Sequence, residues 1–515
     1  MLRFIRQGAI ILIALILSMG VGTAQKPKLV INIVVGSMRA SDLDCFGDNF
    51  SSGGFRRLVD GGYRYTNAYY DYAGTNSVAG LATLATGAQP SVHGIIGQEW
   101  WSNVDGSKVT LSKDSFTATT LGDMLLEGNS KSKHYTVAIE PTSAIALNGK
   151  SGVALWADNT TTHWTTSSAY LATIPSWIKS YNNEDIKKNY ILKRWTPTLD
   201  IRRYINSEVA IVEDIKNKST QLISDIDLHL GDDAYGKMLF TPAGNTMVLN
   251  FATSLITHEA LGRDAHTDIL NIYLDTARHI AQTYGPESVE YEDMLYRLDS
   301  QLSQFLSYLY AQFSNAKDIV IILTSDHGTS PSYNRSGDTV RERLNPRQIA
   351  VLTNAFLGAR HGSADYILGV DNNAIYLNHD IIAKRKLDIN AIREEVAGFV
   401  LQIRGVANAI SATALRNGSF IEGRNRLLRH SYYPTRSGDV ILDLIPGCII
   451  ERDNQRASSD GGYNYDRKVP LVIYRAGEGK VIKRRIDMTQ LAVTIAQMAE
   501  VEAPWTSEAE PLEEF

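Results

Sequence analysis

The run of β-branched and aliphatic residues from Asp318 onward stops at an Asp-His pair, Asp326-His327, and a glycine, Gly328. Carboxylate and imidazole side chains are common zinc ligands. An apolar run of this kind is typical of a buried strand, so the pattern predicts two metal ligands at the end of a sheet. Two ligands do not hold a catalytic metal, and further ligands would have to come from other elements.

Strand-like apolar runs alternate with helical patterns along most of the chain. Strands are predicted at 28–36, 134–140, 268–275 and 318–328, and helices within 244–262 and after Val289. This alternation predicts a doubly wound α/β fold with a mostly parallel sheet. Because sites in such folds form at the carboxyl ends of strands, Gly36, Glu140 and Asp326 are expected to meet there.

The pattern changes between residues 338 and 429. A hairpin-like segment at 366–382 and a helical pattern at 388–403 predict a smaller α+β insertion. The insertion divides the core into a first part, residues 25–337, and a second part, residues 430–515. Strand-like runs at 438–450 and 468–477 are assigned to that second part.

Residues 1–24 have the pattern of a secretory signal peptide. Arg3 and Arg6 precede a short apolar run from Ala9 to Leu17, and small residues follow up to Ala24. The apolar run is too short to span a bilayer. The sequence therefore predicts an exported protein, periplasmic or secreted, with no transmembrane segment after cleavage.

The charge of the chain argues against a nucleic-acid partner. The net charge is −5, and the lysines and arginines are scattered, which does not favour nucleic-acid binding. The two cysteines, Cys45 and Cys448, could pair in an oxidising compartment or remain two separate thiols.

Several segments, in order along residues 28 to 500, carry a family resemblance. They include INIVVGSMRASDL, ATGAQPSVHGIIGQEWW, YGPESVEYEDMLYRLD, IILTSDHG and GGYNYDRKVPLVIY. The chain resembles the alkaline phosphatase superfamily, and within it the exported bacterial alkaline phosphatases related to nucleotide pyrophosphatase/phosphodiesterases. The resemblance implies the α/β fold, two zinc ions, and a Thr or Ser nucleophile that attacks a phosphate ester.

When the positions are compared one at a time, only some of the site residues that the resemblance implies are found in this sequence. Ser77 takes the nucleophile position, and Asp326 and His327 keep two metal-ligand positions. Positions where the family has other ligands hold Gly36, Arg278, Gln282, and Asp460 or Ser459. His279 is one residue out of register. Arginine stays protonated and offers a metal no lone pair, which suggests a buried ion pair between Arg278 and Asp326 instead.

The residues that would contact phosphate differ as well. Gln98 stands in place of an asparagine, and Glu140 and Thr142 stand in place of a lysine and an arginine. A phosphate dianion would be repelled by Glu140 if that carboxylate faced the pocket.

These losses favour a pseudoenzyme that has lost two-zinc hydrolysis and serves as a binding or scaffolding component. On this hypothesis no cofactor is expected, and the partner is an unidentified protein or an anionic ligand held by Arg278. The alternative is an active phosphate mono- or diester hydrolase with Ser77 as nucleophile and a reduced zinc site, and Ser77 could instead be a helix N-cap.

Overall fold

The computed structural model describes residues 25–184, 195–207, 234–332, 342–451, 455–477 and 479–515. The predicted signal peptide, residues 1–24, lies outside the described residues, as does the predicted start of the insertion at residue 338. No helix among the residues that are described is long and apolar enough to cross a membrane.

A ten-stranded sheet forms the centre of the described part of the chain. Its strands, in spatial order, are Lys480–Ile482, Tyr63–Tyr69, Lys468–Tyr474, Ile319–Thr324, Leu29–Val35, Asp268–Leu274, His134–Ala138, Val153–Ala157 and Trp164–Thr165, and Ile486–Asp487 pairs with Tyr63–Tyr69. Four neighbouring strands run parallel: Ile319–Thr324, Leu29–Val35, Asp268–Leu274 and His134–Ala138. Lys468–Tyr474 is antiparallel to both of its neighbours.

Both faces of the central sheet are buried. In the strand Leu29–Val35, Ile31 and Ile33 point into one hydrophobic cluster, and Val30 and Val34 point into another on the opposite face. A continuous apolar run is what a parallel strand covered on both sides requires. The predicted α/β fold with a mostly parallel sheet is therefore confirmed.

Helices cover the two faces. In the described core they are Asp42–Cys45, Phe55–Gly61, Ser77–Thr86, Pro90–His93, Leu121–Gly128, Pro141–Asn148, Ser176–Asn183, Ala234–Leu239, Pro242–His258, Asp275–Tyr284, Val289–Ala311, Asn464–Arg467 and Gln490–Met498. The long helix Val289–Ala311 begins at the N-cap Ser288, whose hydroxyl accepts from the Tyr291 amide.

A second, antiparallel sheet has four strands in the order Ile367–Asp371, Ala374–Leu377, Val440–Leu444 and Val406–Ser411. Its first two strands form the predicted hairpin, and the turn residues Asn372 and Asn373 both have positive φ. The helices of this region are Pro346–His361, His379–Lys384, Ile389–Val400, Ala412–Asn417 and Gly423–Ser431. Two further strand pairs, Arg343–Leu344 with Ile449–Ile450 and Glu99–Trp101 with Lys108–Thr110, lie apart from both sheets.

One strand differs from its assignment by sequence. Val440–Leu444 was expected in the core, but it lies between two strands of the small sheet. The boundary drawn at residue 429 thus falls before the last strand of the antiparallel sheet. The two cysteines are unpaired: Cys45 is exposed and Cys448 is buried.

Candidate functional site

The predicted site residues meet at the carboxyl end of the central sheet. Gly36 follows Leu29–Val35, Glu140 lies just beyond His134–Ala138, and Asp326 lies just beyond Ile319–Thr324. The helix Asp275–Tyr284, which carries Arg278, follows the fourth of these strands, Asp268–Leu274. Since these four strands are neighbours in the sheet, their C-terminal residues are brought together.

Ser77 is the first residue of the helix Ser77–Thr86. The cap is Asn76, whose side chain accepts from the Ala79 amide, so the alternative interpretation of Ser77 as the N-cap is wrong. A Cβ at Gly80 would lie 1.9 Å from the Asp326 carbonyl oxygen, which shows how closely this helix approaches the Asp-His segment. That approach places Ser77 Oγ 3.0 Å from His327 Nε2.

The His327 imidazole is fully buried and held at both nitrogens. Nδ1 lies 2.5 Å from the Gly328 carbonyl oxygen, and since a carbonyl can only accept, Nδ1 carries the hydrogen. Nε2 faces Ser77 Oγ and lies 3.4 Å from Ser459 Oγ. Of the two residues proposed for the last ligand position, Ser459 is therefore the one in contact with His327.

Asp326 is fully buried, and protein donors surround its carboxylate. Oδ1 accepts from the backbone amides of Ser37 at 2.8 Å and His327 at 2.9 Å. Oδ2 accepts from the Tyr273 hydroxyl at 2.7 Å. Burial raises the pKa of Asp326, but His327 and these hydrogen bonds outweigh it, and the pKa is lowered overall.

Tyr273 is a site residue that sequence reasoning missed. It is the next-to-last residue of the strand Asp268–Leu274 and is completely buried. Burial, with the Asp326 charge second, raises the pKa of Tyr273 well above its ordinary value, so the phenol stays a donor. A tyrosine at the site end of a mainly aliphatic strand was the available signal.

The Tyr273→Phe variant should lose about 1.5–3 kcal/mol of unfolding free energy, because a buried carboxylate loses one of its donors. Tyr310→Phe is the matched control, since the buried Tyr310 hydroxyl has no hydrogen-bond partner. Urea unfolding of both variants measures the difference. Equal stability of the two variants would contradict the role assigned to Tyr273.

Arg278 is buried, and its guanidinium pairs with Glu140. Nη2 of Arg278 lies 2.6 Å from Glu140 Oε2, and His279 Nε2 lies 2.9 Å from Glu140 Oε1. The expected ion pair between Arg278 and Asp326 is wrong, because the hydrogen bonds of Asp326 come from other donors. Glu140 was predicted as a lost phosphate contact, and its pairing with Arg278 could not be read from the sequence.

Both partners have strongly perturbed pKa values. Burial raises the pKa of Glu140, but Arg278 and His279 lower it by more than burial raises it, so the pKa falls to about 2. Burial lowers the pKa of Arg278, whereas Glu140, Tyr273 and nearby carboxylates raise it well above its ordinary value. The pair is therefore ionised on both sides, and a cation with its own counter-ion occupies the region where the resemblance implies metal ligands.

Several of the predicted positions line a cavity of about 300 Å³. It is lined by Asn76, Ser77, Val78, Gly97, Gln98, Glu99, Arg278, Gln282, Asp371, Asn372, Gln455, Ser458, Ser459 and Asp460. Gln282 accepts a 3.3 Å hydrogen bond from Gln455, and Asp460 accepts one from Ser458 at 3.1 Å. Glu140 and Thr142 are not among the lining residues.

The described residues do not fit a two-zinc site. None of their His, Cys, Asp and Glu side chains form a group of three or more that could hold a metal ion. Asp326 is already surrounded by donors, and the guanidinium of Arg278 stands where the resemblance implies a second ligand. Zinc needs three or four ligands with free lone pairs, and the described side chains do not supply them.

The α/β fold and the site at the strand ends are typical of the alkaline phosphatase superfamily, and comparison with known families confirms this membership. The model of the type I phosphodiesterase / nucleotide pyrophosphatase family matches residues 30–466. The chain therefore belongs to this family, within the alkaline phosphatase superfamily.

Particular relatives align over almost the whole chain. A protein of Myroides odoratus named calcium-transporting ATPase is 27% identical, with 95% of each chain covered. Alkaline phosphatase PafA of Elizabethkingia meningoseptica is 26% identical, covering 95% of this chain and 94% of the relative. The crystal structure of wild-type PafA superposes with a TM-score of 0.87 at 24% identity, over 95% of this chain and 99% of that chain. The fold is thus shared.

Proposed function

We propose that this protein is a non-hydrolytic member of its family, a pseudoenzyme that works as a binding or scaffolding component. The observation that carries the proposal is the ion pair of Arg278 with Glu140. Two-metal phosphoryl transfer needs closely spaced dications that stabilise the attacking and leaving oxygens. A buried guanidinium with its own carboxylate neither binds a dication nor leaves a net positive charge to replace one.

The surroundings of Asp326 support the same proposal. A metal would have to displace the Tyr273 hydroxyl from Oδ2, and the second oxygen is shared by two backbone amides. Buried backbone donors left without a partner cost about 1–3 kcal/mol each. Zinc would therefore gain one ligand at the expense of several existing hydrogen bonds.

Export is part of the proposal. It is supported by the leader-like pattern of residues 1–24 and places the mature protein in the periplasm or outside the cell. N-terminal sequencing of the natural protein would test it, with Gln25 as the expected first residue.

One observation favours a second candidate, an active phosphate mono- or diester hydrolase. Ser77 Oγ lies 3.0 Å from His327 Nε2, within reach for activation of a nucleophile, and relatives are named alkaline phosphatases. On this alternative, Ser77, Asp326 and His327 would hold a reduced zinc site.

Metal content and turnover separate the two candidates. We expect the purified protein to hold far less than one zinc per chain by atomic emission spectrometry. We also expect no hydrolysis of p-nitrophenyl phosphate or bis-p-nitrophenyl phosphate above that of a Ser77→Ala variant, with or without added zinc. Ser130→Ala, at an exposed serine, is the control for substitution itself. Near-stoichiometric zinc with activity that only Ser77→Ala abolishes would establish the hydrolase instead.

A further inference from the structure

The cavity at the sheet end has lost the positive potential that holds a phosphate group. Among the described residues that line it, Arg278 is the one cation, whereas Glu99, Asp371 and Asp460 are carboxylates, and Glu99 Oε2 is paired with Lys108 Nζ at 2.5 Å. The charge of Arg278 is balanced by Glu140 at 2.6 Å. Like charges a few ångströms apart repel even at a partly solvated site, so a phosphate dianion is disfavoured here.

Arg278 contributes little net charge to the cavity that it lines. Its Nη2 donates to Glu140 Oε2 at 2.6 Å, and the residue is only 8% exposed. Its Nε has no hydrogen-bond partner but is enclosed by protein atoms, so a ligand in the cavity does not reach it. A guanidinium whose charge is balanced in this way does not select an anionic ligand.

The remaining lining is rich in groups that both donate and accept. Amides and hydroxyls predominate: Asn76, Ser77, Gln98, Gln282, Asn372, Gln455, Ser458 and Ser459. Val78 is the one aliphatic side chain in the lining, and none of the lining residues is aromatic. An apolar ligand would find no matching wall, and an organic cation would find no aromatic cage among the described lining residues.

We propose that this cavity binds an uncharged, hydroxyl-rich ligand of the sugar or polyol class. Hydroxyl groups donate and accept at once, which matches paired amides, serines and carboxylates around a space of about 300 Å³. The assignment rests on the proposed non-hydrolytic function and replaces the anionic ligand expected from Arg278 alone. On this assignment, the residues that differ from the family pattern change the ligand from an anionic phosphate ester to a neutral molecule.

Calorimetric titration and thermal unfolding of the full mature chain test the assignment. The neutral probes are methyl α-glucoside, N-acetylglucosamine and myo-inositol, and the charged probes are inorganic phosphate and ethylammonium. We expect at least one neutral probe to bind and to raise the Tm, and both charged probes to bind more weakly. Tighter binding of phosphate or ethylammonium, or no binding by any neutral probe, would overturn the assignment.

Two variants tie the binding to this cavity. Gln98 is exposed at the cavity wall, so Gln98→Ala should leave the fold intact and weaken the neutral probe about fivefold through one lost hydrogen bond. Glu140→Gln should raise phosphate affinity about tenfold by releasing the charge of Arg278. Glu127→Gln, at an exposed carboxylate, is the matched control and should change neither affinity. Neutral-probe binding unchanged by Gln98→Ala would also overturn the assignment.

The ligand class and the proposed function fail in different ways. Bound zinc with Ser77-dependent ester hydrolysis would remove the proposed function. A zinc-free, inactive protein that prefers phosphate or ethylammonium would leave that function standing and reject the neutral ligand alone.

Discussion

Replacing Glu140 with alanine should lower the free energy of unfolding by about 3 kcal/mol or more, because it leaves the buried guanidinium of Arg278 without its counter-ion. Urea unfolding at neutral pH measures the loss. Glu127→Ala, at an exposed site, is the matched control and should change stability by less than about 0.5 kcal/mol.

A double variant distinguishes an unpaired charge from simple loss of packing. Replacing Glu140 with leucine and Arg278 with methionine removes both charges and keeps most of the buried volume. We expect it to recover much of the stability that Glu140→Ala loses, since apolar replacement of a whole buried pair is often neutral or favourable. If the double variant were no more stable than the single one, the ion pair would not be the cause.

The second large effect is a pH dependence that originates at Asp275. This carboxylate is fully buried; its Oδ2 accepts from the Ile139 amide, and its Oδ1 has no hydrogen-bond partner. Burial, followed by the charge of Glu140, raises the pKa of Asp275 from its ordinary 3.8 to about 8. Between pH 3.8 and about 8, Asp275 holds a proton in the folded chain that it has released in the unfolded chain. The free energy of unfolding therefore falls as the pH rises, by about 1.4 kcal/mol per pH unit.

The Asp275→Asn variant should remove that slope, because an amide does not titrate. We expect the variant to gain stability relative to the native protein as the pH rises, and the gain to level off above about 8. Urea midpoints between pH 6.5 and 9 measure it, and Asp48→Asn, at an exposed site, controls for the amide itself. A difference between Asp275→Asn and native protein that stays constant with pH would contradict the buried proton.

Much of the fold was predictable because the pattern of apolar residues along the sequence reflects which side chains are buried. The strand Leu29–Val35 is apolar at every position except Asn32, as a strand covered on both faces must be, and its end at Gly36 could be read directly. The strand Val440–Leu444 carries the same kind of apolar run, yet it pairs in the small sheet. An apolar run shows that a strand is buried, but it does not identify the neighbours that bury it.

The meeting of the site residues at the sheet end was predictable, whereas their side-chain contacts were not. Gapless spacing back from Gly285 predicts that Arg278 stands where the resemblance implies a ligand, and this prediction required only local register. Its partner Glu140 lies 138 residues away, and choosing it over Asp326 depended on side-chain geometry across neighbouring strands. The Tyr273 hydrogen bond was missed for the same reason, since a tyrosine in an apolar strand is equally consistent with packing alone.

Gly36 limits which side chains the end of this strand can hold. A Cβ at this position would stand 2.9 Å from the Arg278 Cβ and 2.9 Å from the Tyr273 hydroxyl oxygen. The hydroxyl could turn aside, but the Arg278 Cβ is fixed to its helix, so any side chain at residue 36 would require the backbone of the helix Asp275–Tyr284 or of Gly36 to shift. An aspartate placed here by a single substitution would therefore cost stability before it could serve as a metal ligand.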